Sequence, residues 1–441
     1  MARGKGSVLE CRVSLTFPHL LSENGMMKQI STNGTTMNVS QTWGYYTSFD
    51  ADFDSIDSKK DRQNSGAYIF RPKTPEDDLT TIEPSKSAIF TPLAEGGMEV
   101  HAEFKHSWIR TTTRVLSGLP YIEVDYTVGP IPIDDGRGKE IATRFNSPIE
   151  SAGAFFTDSN AREFLKRKRN YRPTWDLNVY QPVAGNYYPV NAAIFIEDTA
   201  SAFSVVTDRT QGGTSLMDGS VELMVQRRTL ADDGRGVGEP MNETEGGISP
   251  YPPYGKAQRV GEGVVIKGTH RIMVGNNGGA KLARSMMDGA FAEPLVFVGS
   301  SPSDESVPFQ VPNISGLQDE LPPNIMLITL ARLYDAPSTT FLLRLSHQYG
   351  AGEDELLSQP SSVNIPSLFQ GYNVVNVVEK TLTGNQDYES WMRRRLDWTG
   401  GNADMSESRN AELLDLDVVL LKPLDIRTFE ITVDVNETLV K

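Results

Sequence analysis

The sequence predicts an all-β protein. Apolar residues recur mainly with a period of two, helical patterns are few, and turn-forming residues separate nearly all of the apolar segments. Residues 122–128 show the pattern clearly, because apolar side chains alternate with Glu123, Asp125 and Thr127. This alternation is typical of a strand with one buried face and one face in water. Many such segments with few helices favour β-sandwiches.

The segment before this strand is predicted to be its antiparallel partner. Residues 98–115 are rich in threonine and aromatic residues, and the turn sequence SGLP at 117–120 separates them from residues 122–128. The two segments are therefore expected to form a hairpin of long strands. Further strands are expected, in chain order, at residues 192–196, 202–207, 221–225, 263–274, 295–298, 325–330, 340–346, 374–378, 418–421 and 429–435.

Three short segments carry helical signals. Residues 281–291 place three apolar side chains on one stripe, and a proline follows them. Residues 161–168 are expected to form a helical turn or two, and residues 388–396 a third short helix. No succession of strand, helix and parallel strand is visible, so the sequence does not predict a parallel α/β enzyme domain.

Residues 299–323 are the best candidate for a domain boundary. They are rich in serine, proline, aspartate and asparagine, and they show little periodicity. We therefore expect a large β-sandwich domain at residues 1–299 and a smaller C-terminal β-sandwich at residues 300–441. The first domain has the length of an elaborated sandwich, and the second has an ordinary sandwich size.

The composition excludes several classes of partner. The 441 residues include 42 lysines and arginines against 57 acids, which gives a formal net charge of −15. Nucleic acids and anionic membranes attract basic faces, so this balance argues against both. The single cysteine, Cys11, excludes an intrachain disulfide. No apolar run approaches the roughly 18 residues of a transmembrane segment, so no such segment is predicted. Glu10 and Arg12 interrupt the apolar stretch that a signal peptide would need, so no signal peptide is predicted either.

The common signatures of metal and nucleophilic catalysis are missing from the sequence. Of the five histidines, only His101 and His106 are close together, and their odd spacing points them to opposite faces of a strand. Neither an HExxH nor a GxSxG motif is present. We therefore predict no metal ligands and no catalytic residues in this chain.

One loop has the composition of a polyol-binding site. Asp232, Asp233 and Arg235 lie with two flexible glycines directly after the alternating segment 221–228. A guanidinium offers a planar fork of donors, and carboxylates accept hydrogen bonds from hydroxyls. The alternative is an acidic turn that satisfies itself through an internal Arg–Asp pair, and spacing alone favours this alternative.

Five Asn-x-Ser/Thr sequons favour passage through the secretory pathway. N-glycosylation attaches to the asparagine of such a sequon, which requires an accessible position on the surface. The candidate asparagines are Asn33, Asn38, Asn242, Asn313 and Asn436.

Several segments together resemble a known enzyme family. Residues 65–72 read SGAYIFRP, and residues 227–237 read RRTLADDGRGV. These and further segments resemble, in the same order, glycoside hydrolase family 38, the lysosomal type of α-mannosidase. The similarity runs from about residue 40 to near the C-terminus, and several ordered segments make it specific. The further segments are VGPIPI at 128–133, FTDSN at 156–160, NYRPTW at 170–175, PVAGNYYPV at 182–190, TDRTQGGTSLMDGSVE at 207–222 and LSHQYGAGE at 345–353.

The resemblance implies that this chain corresponds to the C-terminal half of the family fold. In the family, an N-terminal α/β barrel and a helical bundle carry the zinc ligands, the aspartate nucleophile and the acid/base aspartate. None of those motifs is found in this sequence, so the implied zinc belongs to a region outside it. The large β domain of the family is a galactose-mutarotase-like supersandwich. This chain alone is expected to lack α-mannosidase activity.

The resemblance also implies which residues lie on the substrate side. In the family, the tyrosine of the SGAY segment, here Tyr68, reaches towards the catalytic pocket. The arginine of the DDGRG loop, here Arg235, approaches the substrate with support from Asp232 and Asp233. Tyr68 and Arg235 are therefore expected on the same side of the large sandwich, at least partly exposed.

The implied ligands are α-mannosides or mannose-containing glycans, and the implied compartment is the lysosome, the vacuole or the secretory pathway. The expected protein partner is an N-terminal catalytic region, or a second copy that associates through an exposed apolar docking face. Two alternatives stay open. One is a stand-alone carbohydrate-binding β module, and the other is a chain with a purely structural role or none.

Overall fold

The computed structural model describes residues 20–56, 61–76, 78–105, 108–247, 261–276, 278–291, 295–297, 315–394 and 418–435. The chain divides into two compact units, Met1–Glu293 and Pro294–Lys441. Both units consist mainly of antiparallel strands, which confirms the all-β class. The identification of the first unit as a galactose-mutarotase-like supersandwich stays a prediction.

The first unit contains a six-stranded sheet and a nine-stranded sheet, in which the paired strands are antiparallel. Across the six-stranded sheet the order is β12 (Tyr188–Val190), β15 (Gln211–Thr214), β16 (Ser220–Arg228), β9 (Lys139–Asn146), β3 (Ser40–Thr47) and β4 (Thr80–Thr81). Across the nine-stranded sheet it is β11 (Glu163–Lys168), β10 (Ala154–Ser159), β13 (Ala193–Glu197), β14 (Ser201–Thr207), β17 (Ile266–Asn276), β8 (Ile122–Val128), β7 (Ile109–Val115), β6 (Met98–Glu103) and β5 (Ile89–Pro92).

Smaller elements complete the first unit. A hairpin of β1 (Gln29–Thr32) and β2 (Thr35–Asn38) turns at an Asn-Gly pair, which is a common turn sequence for two-residue hairpins. The α-helices are α1 (Ala51–Asp54) and α2 (Gly279–Phe291), and single 3₁₀ turns occur at Ala94–Gly96 and Ala184–Asn186. In the part of the chain that the structure describes, no helix is long and apolar enough to cross a membrane.

The core of the first unit lies between its two large sheets. Val124 and Ile272 of the nine-stranded sheet share one buried cluster with Phe145 and Val221 of the six-stranded sheet. All four side chains are fully buried. Removing a large buried side chain of this kind typically costs about 2–5 kcal/mol of unfolding free energy. Two sheets that pack face to face over such a core form a β-sandwich.

Strand β8 confirms the pattern that predicted the fold. Its four apolar residues are buried, and the three polar residues between them are partly exposed. Strands β7 and β8 pair antiparallel, with Thr113 opposite Val124, across the predicted turn at residues 117–120. The predicted continuous strand at 98–115 was wrong, because β6 ends at Glu103, β7 begins at Ile109, and the two pair antiparallel as separate strands.

Two other sequence predictions differ from the structure. Residues 163–168 are the edge strand β11 rather than helix, and they pair antiparallel with β10. The left-handed backbone of Asn160 (φ 52°) and Ala161 (φ 58°) makes the tight turn that brings these strands together. Residues 295–297, which were predicted as part of a strand, have no regular structure. The predicted helices at 281–291 and 388–396 are present as α2 and as α3 (Tyr388–Arg393).

The second unit is a smaller assembly of strands around its own core. A four-stranded sheet has the order β18 (Ile325–Arg332), β19 (Thr340–His347), β23 (Ile426–Val435) and β21 (Tyr372–Lys380). A two-stranded sheet pairs β20 (Ser361–Asn364) with β22 (Val418–Leu421). Leu343 and Phe429 of the larger sheet share a buried cluster with Val419 and Leu421 of the smaller sheet, so the two sheets enclose one core.

His270 is a fully buried histidine in the first unit. Its Nε2 lies 3.0 Å from Oε1 of Gln211, whose amide nitrogen donates to the Tyr126 hydroxyl at 2.6 Å. The other ring nitrogen, Nδ1, is buried and has no hydrogen-bond partner among the described residues. Burial lowers the pKa of His270 to about 4. The folded protein therefore holds a neutral imidazole above that pH.

Mild acid is expected to weaken the first unit through His270. The unfolded histidine, with a pKa of 6.5, binds a proton at pH values where the folded one stays neutral. Stability is therefore lost as the pH falls from 6.5 towards 4, by about 2 kcal/mol between pH 8 and pH 5. Urea unfolding at both pH values measures this loss. His270→Gln should show a smaller pH dependence, and an unchanged dependence would contradict the assignment.

Candidate functional site

The candidate site is formed where two distant parts of the chain meet. Residues 63–71, called here the tyrosine segment, lie against residues 232–236, called the arginine loop, which follows the end of β16. Tyr68 is 65% exposed, and Arg235 is also exposed. Both candidate substrate residues therefore present their side chains to solvent.

Asp233 joins the tyrosine segment to the arginine loop. Its Oδ2 accepts hydrogen bonds from the backbone N–H groups of Tyr68, at 2.6 Å, and Ile69, at 3.0 Å. Its Oδ1 accepts from the backbone N–H of Arg235 at 3.0 Å. One carboxylate thus holds the backbones of Tyr68 and Arg235 on the same part of the surface.

The environment of Asp233 keeps its carboxylate ionised. Burial alone would raise the pKa of Asp233, but the backbone N–H groups of Tyr68, Ile69 and Arg235 outweigh burial and hold the pKa below its usual value. The side chain is also almost inaccessible to solvent. Its Oδ2 already holds the tyrosine segment and its Oδ1 the backbone of Arg235, and direct contact of Asp233 with a sugar stays a prediction.

Two glycines allow the close contact between these segments. A Cβ atom added to Gly66 would lie 2.7 Å from both the Cβ and the backbone nitrogen of Asp233, which is closer than real Cβ contacts come. Gly236 has a φ of +132°, in the region that favours glycine, and an added Cβ there would lie 3.9 Å from the Tyr68 ring. Gly66 therefore allows the close approach of the two segments, and Gly236 allows the positive-φ backbone of the arginine loop.

Gln63 is a further link that the sequence analysis missed. Its Oε1 accepts a hydrogen bond from Nε of Arg235 at 2.8 Å and a second, short one from Nη2. Its amide nitrogen donates to the backbone oxygen of Asp233 at 2.9 Å. The guanidinium of Arg235 is therefore oriented by an amide rather than by an internal Arg–Asp pair, which was the alternative that spacing favoured.

Asp232 has a different environment from Asp233. It is half-buried, and its backbone oxygen accepts a hydrogen bond from the side-chain amide of Asn64 at 2.9 Å. Its Oδ1 is buried without a hydrogen-bond partner among the described residues. Asp232 therefore keeps acceptor capacity that Asp233 has already used.

A buried ion pair lies beneath the tyrosine segment. Glu140 on β9 is fully buried, and its Oε1 accepts from the Ser48 hydroxyl at 3.0 Å and, by a short hydrogen bond, from the Ser65 hydroxyl. Nη2 of Arg227 on β16 lies 3.3 Å from the same oxygen and donates to the backbone oxygen of Ile69 at 2.8 Å. The sandwich thus anchors the segment that carries Tyr68.

These supporting residues were not identified from the sequence. Ser65 and Arg227 do lie inside the recognised SGAYIFRP and RRTLADDGRGV segments, so their position there was an available signal. Glu140 and Gln63 lie outside those segments, and their contacts depend on the folded structure.

The predicted sequons differ in accessibility. Asn33 and Asn38 are exposed on the β1–β2 hairpin. Asn242 is half-buried, and its Oδ1 accepts a hydrogen bond from Nε of Arg228 at 2.7 Å. Asn313 and Asn436 lie outside the described residues. Glycosylation at all five positions stays a prediction.

The described residues do not fit a metal site. Across the described ranges, no group of three or more histidine, cysteine, aspartate or glutamate side chains is arranged to hold a metal ion. No step of a reaction is therefore assigned to zinc within this part of the chain.

Comparison with known proteins connects this geometry to a family. Residues 19–235 match the model of the glycosyl hydrolases family 38 C-terminal domain, and this match includes both Tyr68 and Arg235. The chain is 39% identical over 416 residues to a lysosomal α-mannosidase of Cavia porcellus, covering 91% of this chain and 38% of the relative. It is 37% identical over 422 residues to an α-mannosidase of Arabidopsis thaliana, covering 94% of this chain and 39% of the relative.

A solved structure shows a similar fold. The crystal structure of an α-mannosidase from Enterococcus faecalis aligns with a TM-score of 0.53 at 12% identity, covering 93% of this chain and 40% of that one. The chain spans about two-fifths of the length of the curated relatives it matches. The matching domain model, the similarity over nine-tenths of the chain and the β-sandwich architecture agree. The chain belongs to glycosyl hydrolase family 38 and corresponds to the C-terminal region of proteins in that family.

Proposed function

We propose that this chain is the C-terminal part of an α-mannosidase, an enzyme that hydrolyses terminal α-mannosyl residues of glycans. The proposal rests on the surface that Asp233 organises, where Tyr68 and Arg235 are both exposed and oriented by hydrogen bonds. The matched relatives carry the name α-mannosidase, which supports the reaction class. The lysosomal relatives support a lysosomal or vacuolar location.

The chemistry of this surface suits the recognition of a sugar. A mannose ring presents several hydroxyls, each of which donates and accepts hydrogen bonds. The Tyr68 phenol both donates and accepts, and the Arg235 guanidinium offers a fork of donors. Because Gln63 holds two of those donors in place, the guanidinium has a fixed direction before substrate arrives. We assign Tyr68 and Arg235 to substrate contact and Asp233 to positioning.

We further propose that the catalytic groups come from a barrel region that is not in this chain. Retaining glycosidases need two carboxyl groups about 5–5.5 Å apart, one as nucleophile and one as acid/base. The tyrosine segment and arginine loop instead supply a phenol, a guanidinium, the carboxylate of Asp232, whose Oδ1 is buried, and the carboxylate of Asp233, which is already bound to backbone N–H groups. In this proposal the chain forms the substrate-side wall, and zinc and the catalytic aspartates belong to the barrel.

The purified chain alone is expected to show no turnover of an aryl α-mannoside, with or without added zinc. The physical reason is the missing pair of catalytic carboxyls. A stopped assay for released phenol measures the rate, and the full-length relative from Cavia porcellus is the positive control. Turnover above the buffer background would contradict the proposal that the catalytic groups lie outside this chain. If Tyr68→Phe abolished that turnover, the assignment of Tyr68 to substrate contact would still hold.

We propose that the catalytic region docks on exposed aromatic side chains of the first unit. Tyr171, Trp175 and Tyr180 are 52%, 59% and 78% exposed, on the segment between β11 and β12. Tyr187, at the end of that segment, packs its ring against Phe70 with the centroids 4.9 Å apart, and Phe70 belongs to the tyrosine segment. Large exposed aromatic side chains of this kind are typical of protein interfaces.

Without its partner, the purified chain is expected to self-associate through these aromatic residues. Sedimentation velocity should show an average mass that rises with concentration, and Trp175→Ser with Tyr180→Ser should reduce that rise. Tyr334, which is 98% exposed in the second unit, gives the matched control Tyr334→Ser. A monodisperse monomer at all concentrations would favour the alternative of a stand-alone carbohydrate-binding module.

A further inference from the structure

A cleft in the first unit, separate from the tyrosine segment and the arginine loop, combines aromatic and charged side chains. Its volume is about 370 Å³. It lies where β3 and the edge strand β4 meet the turn after β6 and the loop before β9. The half-buried ring of Tyr45 contributes apolar surface to it and packs on the buried ring of Trp108, with centroids 5.9 Å apart and planes inclined at 45°. It shares no lining residue with the tyrosine segment or the arginine loop.

Charged groups of both signs line the same cleft. Glu83 and Lys105 are exposed, and the backbone N–H of Lys105 donates to the backbone oxygen of Glu83 at 2.8 Å. Asp134 is exposed in the loop on another side. Within the described ranges, the side chains of Glu83, Lys105 and Asp134 make no hydrogen bond or ion pair. Acceptors and a donor are therefore available beside the aromatic surface.

The wall formed by the loop before β9 is held in place from inside. Lys139 is buried, and its ammonium group donates to the backbone oxygen of Pro132 at 2.9 Å and to Oδ1 of Asp135 at 2.7 Å. A third bond, at 3.3 Å, reaches the backbone oxygen of Arg137. Because three bonds from one ammonium group fix this loop, the cleft is organised in the absence of a ligand.

We propose that this cleft binds a neutral hexopyranoside. A pyranose ring has a C–H face that packs on an aromatic ring, and hydroxyls at its edge that both donate and accept. Carboxylates accept from those hydroxyls and an ammonium group donates to them, so acids and a lysine together suit a neutral polyol. The cleft volume falls in the range of small-molecule sites. This inference adds a second sugar site and does not rest on the proposed function.

Ligand-observed saturation-transfer NMR of the purified chain with methyl α-D-mannopyranoside tests the proposal. The glycoside should bind, and erythritol, which has hydroxyls but no ring, should not. Glu83→Gln should weaken binding about threefold through a lost charged acceptor. Tyr45→Ala should weaken it about fivefold or more through the lost ring contact. Because Glu83 is exposed, the first variant should fold like the parent.

One control variant and one double-variant comparison separate this cleft from the proposed substrate surface. Tyr334→Ala removes an exposed tyrosine of the second unit and should bind the glycoside in this assay as the parent does. Arg235→Ala removes a residue of the proposed substrate surface, and adding Glu83→Gln or Tyr45→Ala should weaken the binding that remains in it by the factors given above. Absence of binding by the parent, or binding that Glu83→Gln and Tyr45→Ala leave unchanged, would overturn the proposal. Binding that only Arg235→Ala removes would also overturn it and would place the sugar on the Tyr68 surface instead.

Discussion

Replacing Arg227 with methionine is expected to lower the unfolding free energy of the first unit by about 3–5 kcal/mol. Glu140 is fully buried, and in the variant its charge would remain without the cation that now lies 3.3 Å away. The backbone oxygen of Ile69 would also lose its 2.8 Å hydrogen bond. A buried charge without a partner is among the most destabilising changes a single substitution makes.

Urea unfolding at pH 7 measures this effect, and the chain offers a matched control. Arg209 pairs with Asp208 at 2.8 Å, but the Arg209 side chain is 46% exposed. Arg209→Met should therefore cost less than about 1 kcal/mol. Adding Glu140→Leu to Arg227→Met should recover part of the loss, because it removes the unpaired charge. A cost below about 1 kcal/mol for Arg227→Met would contradict the anchoring role of this pair.

Asp233→Ala is expected to release the tyrosine segment. The substitution removes the acceptor of three backbone N–H groups, those of Tyr68, Ile69 and Arg235. At roughly 1 kcal/mol or more for each hydrogen bond, the loss is about 3–5 kcal/mol. Hydrogen exchange followed by mass spectrometry should show faster exchange in a peptide covering residues 63–71. Asp232→Ala is the control, because the Asp232 carboxylate holds no backbone N–H group of this segment.

The pH dependence of this contact has a definite sign. The folded-state pKa of Asp233 lies below the usual value of 3.8. Its contribution to stability is therefore present above pH 3.8 and is lost only as the pH falls through the lower folded-state pKa. The tyrosine segment should keep its protection from exchange at pH 5. Loss of protection at pH 5 in the parent, without global unfolding, would contradict the role of Asp233.

Local pattern was sufficient to predict much of the fold. Alternation in residues 122–128 predicted a half-buried strand, and the structure has that strand with that face buried. The prediction of a helical turn failed at residues 163–168, which form strand β11. This strand is too short for its period of two to be distinctive, and a hairpin turn with left-handed backbone at Asn160 and Ala161 connects it to β10.

The supporting contacts of the site could not be predicted in the same way. Tyr68 and Arg235 were identified by resemblance, but Gln63, which orients Arg235, lies 172 positions away from it in the sequence. Spacing suggested that an aspartate pairs with Arg235, and the folded chain instead uses Asp233 for backbone N–H groups. Such choices depend on which backbone groups the sandwich brings together, and sequence spacing carries no information about them.

The central claim can be measured in a hybrid protein. In this hybrid, the chain is joined to the N-terminal region of the Cavia porcellus relative and replaces that protein's own C-terminal region. The claim is that Tyr68 and Arg235 form the substrate-side wall of an α-mannosidase site. The measurement is kcat/KM for an aryl α-mannoside in the parent hybrid, in Tyr68→Phe, in Arg235→Ala and in the control Tyr334→Phe. The account predicts turnover by the parent, a loss of about tenfold or more in the first two variants, and no change in the control. An active hybrid whose kcat/KM is the same in all three variants would contradict it.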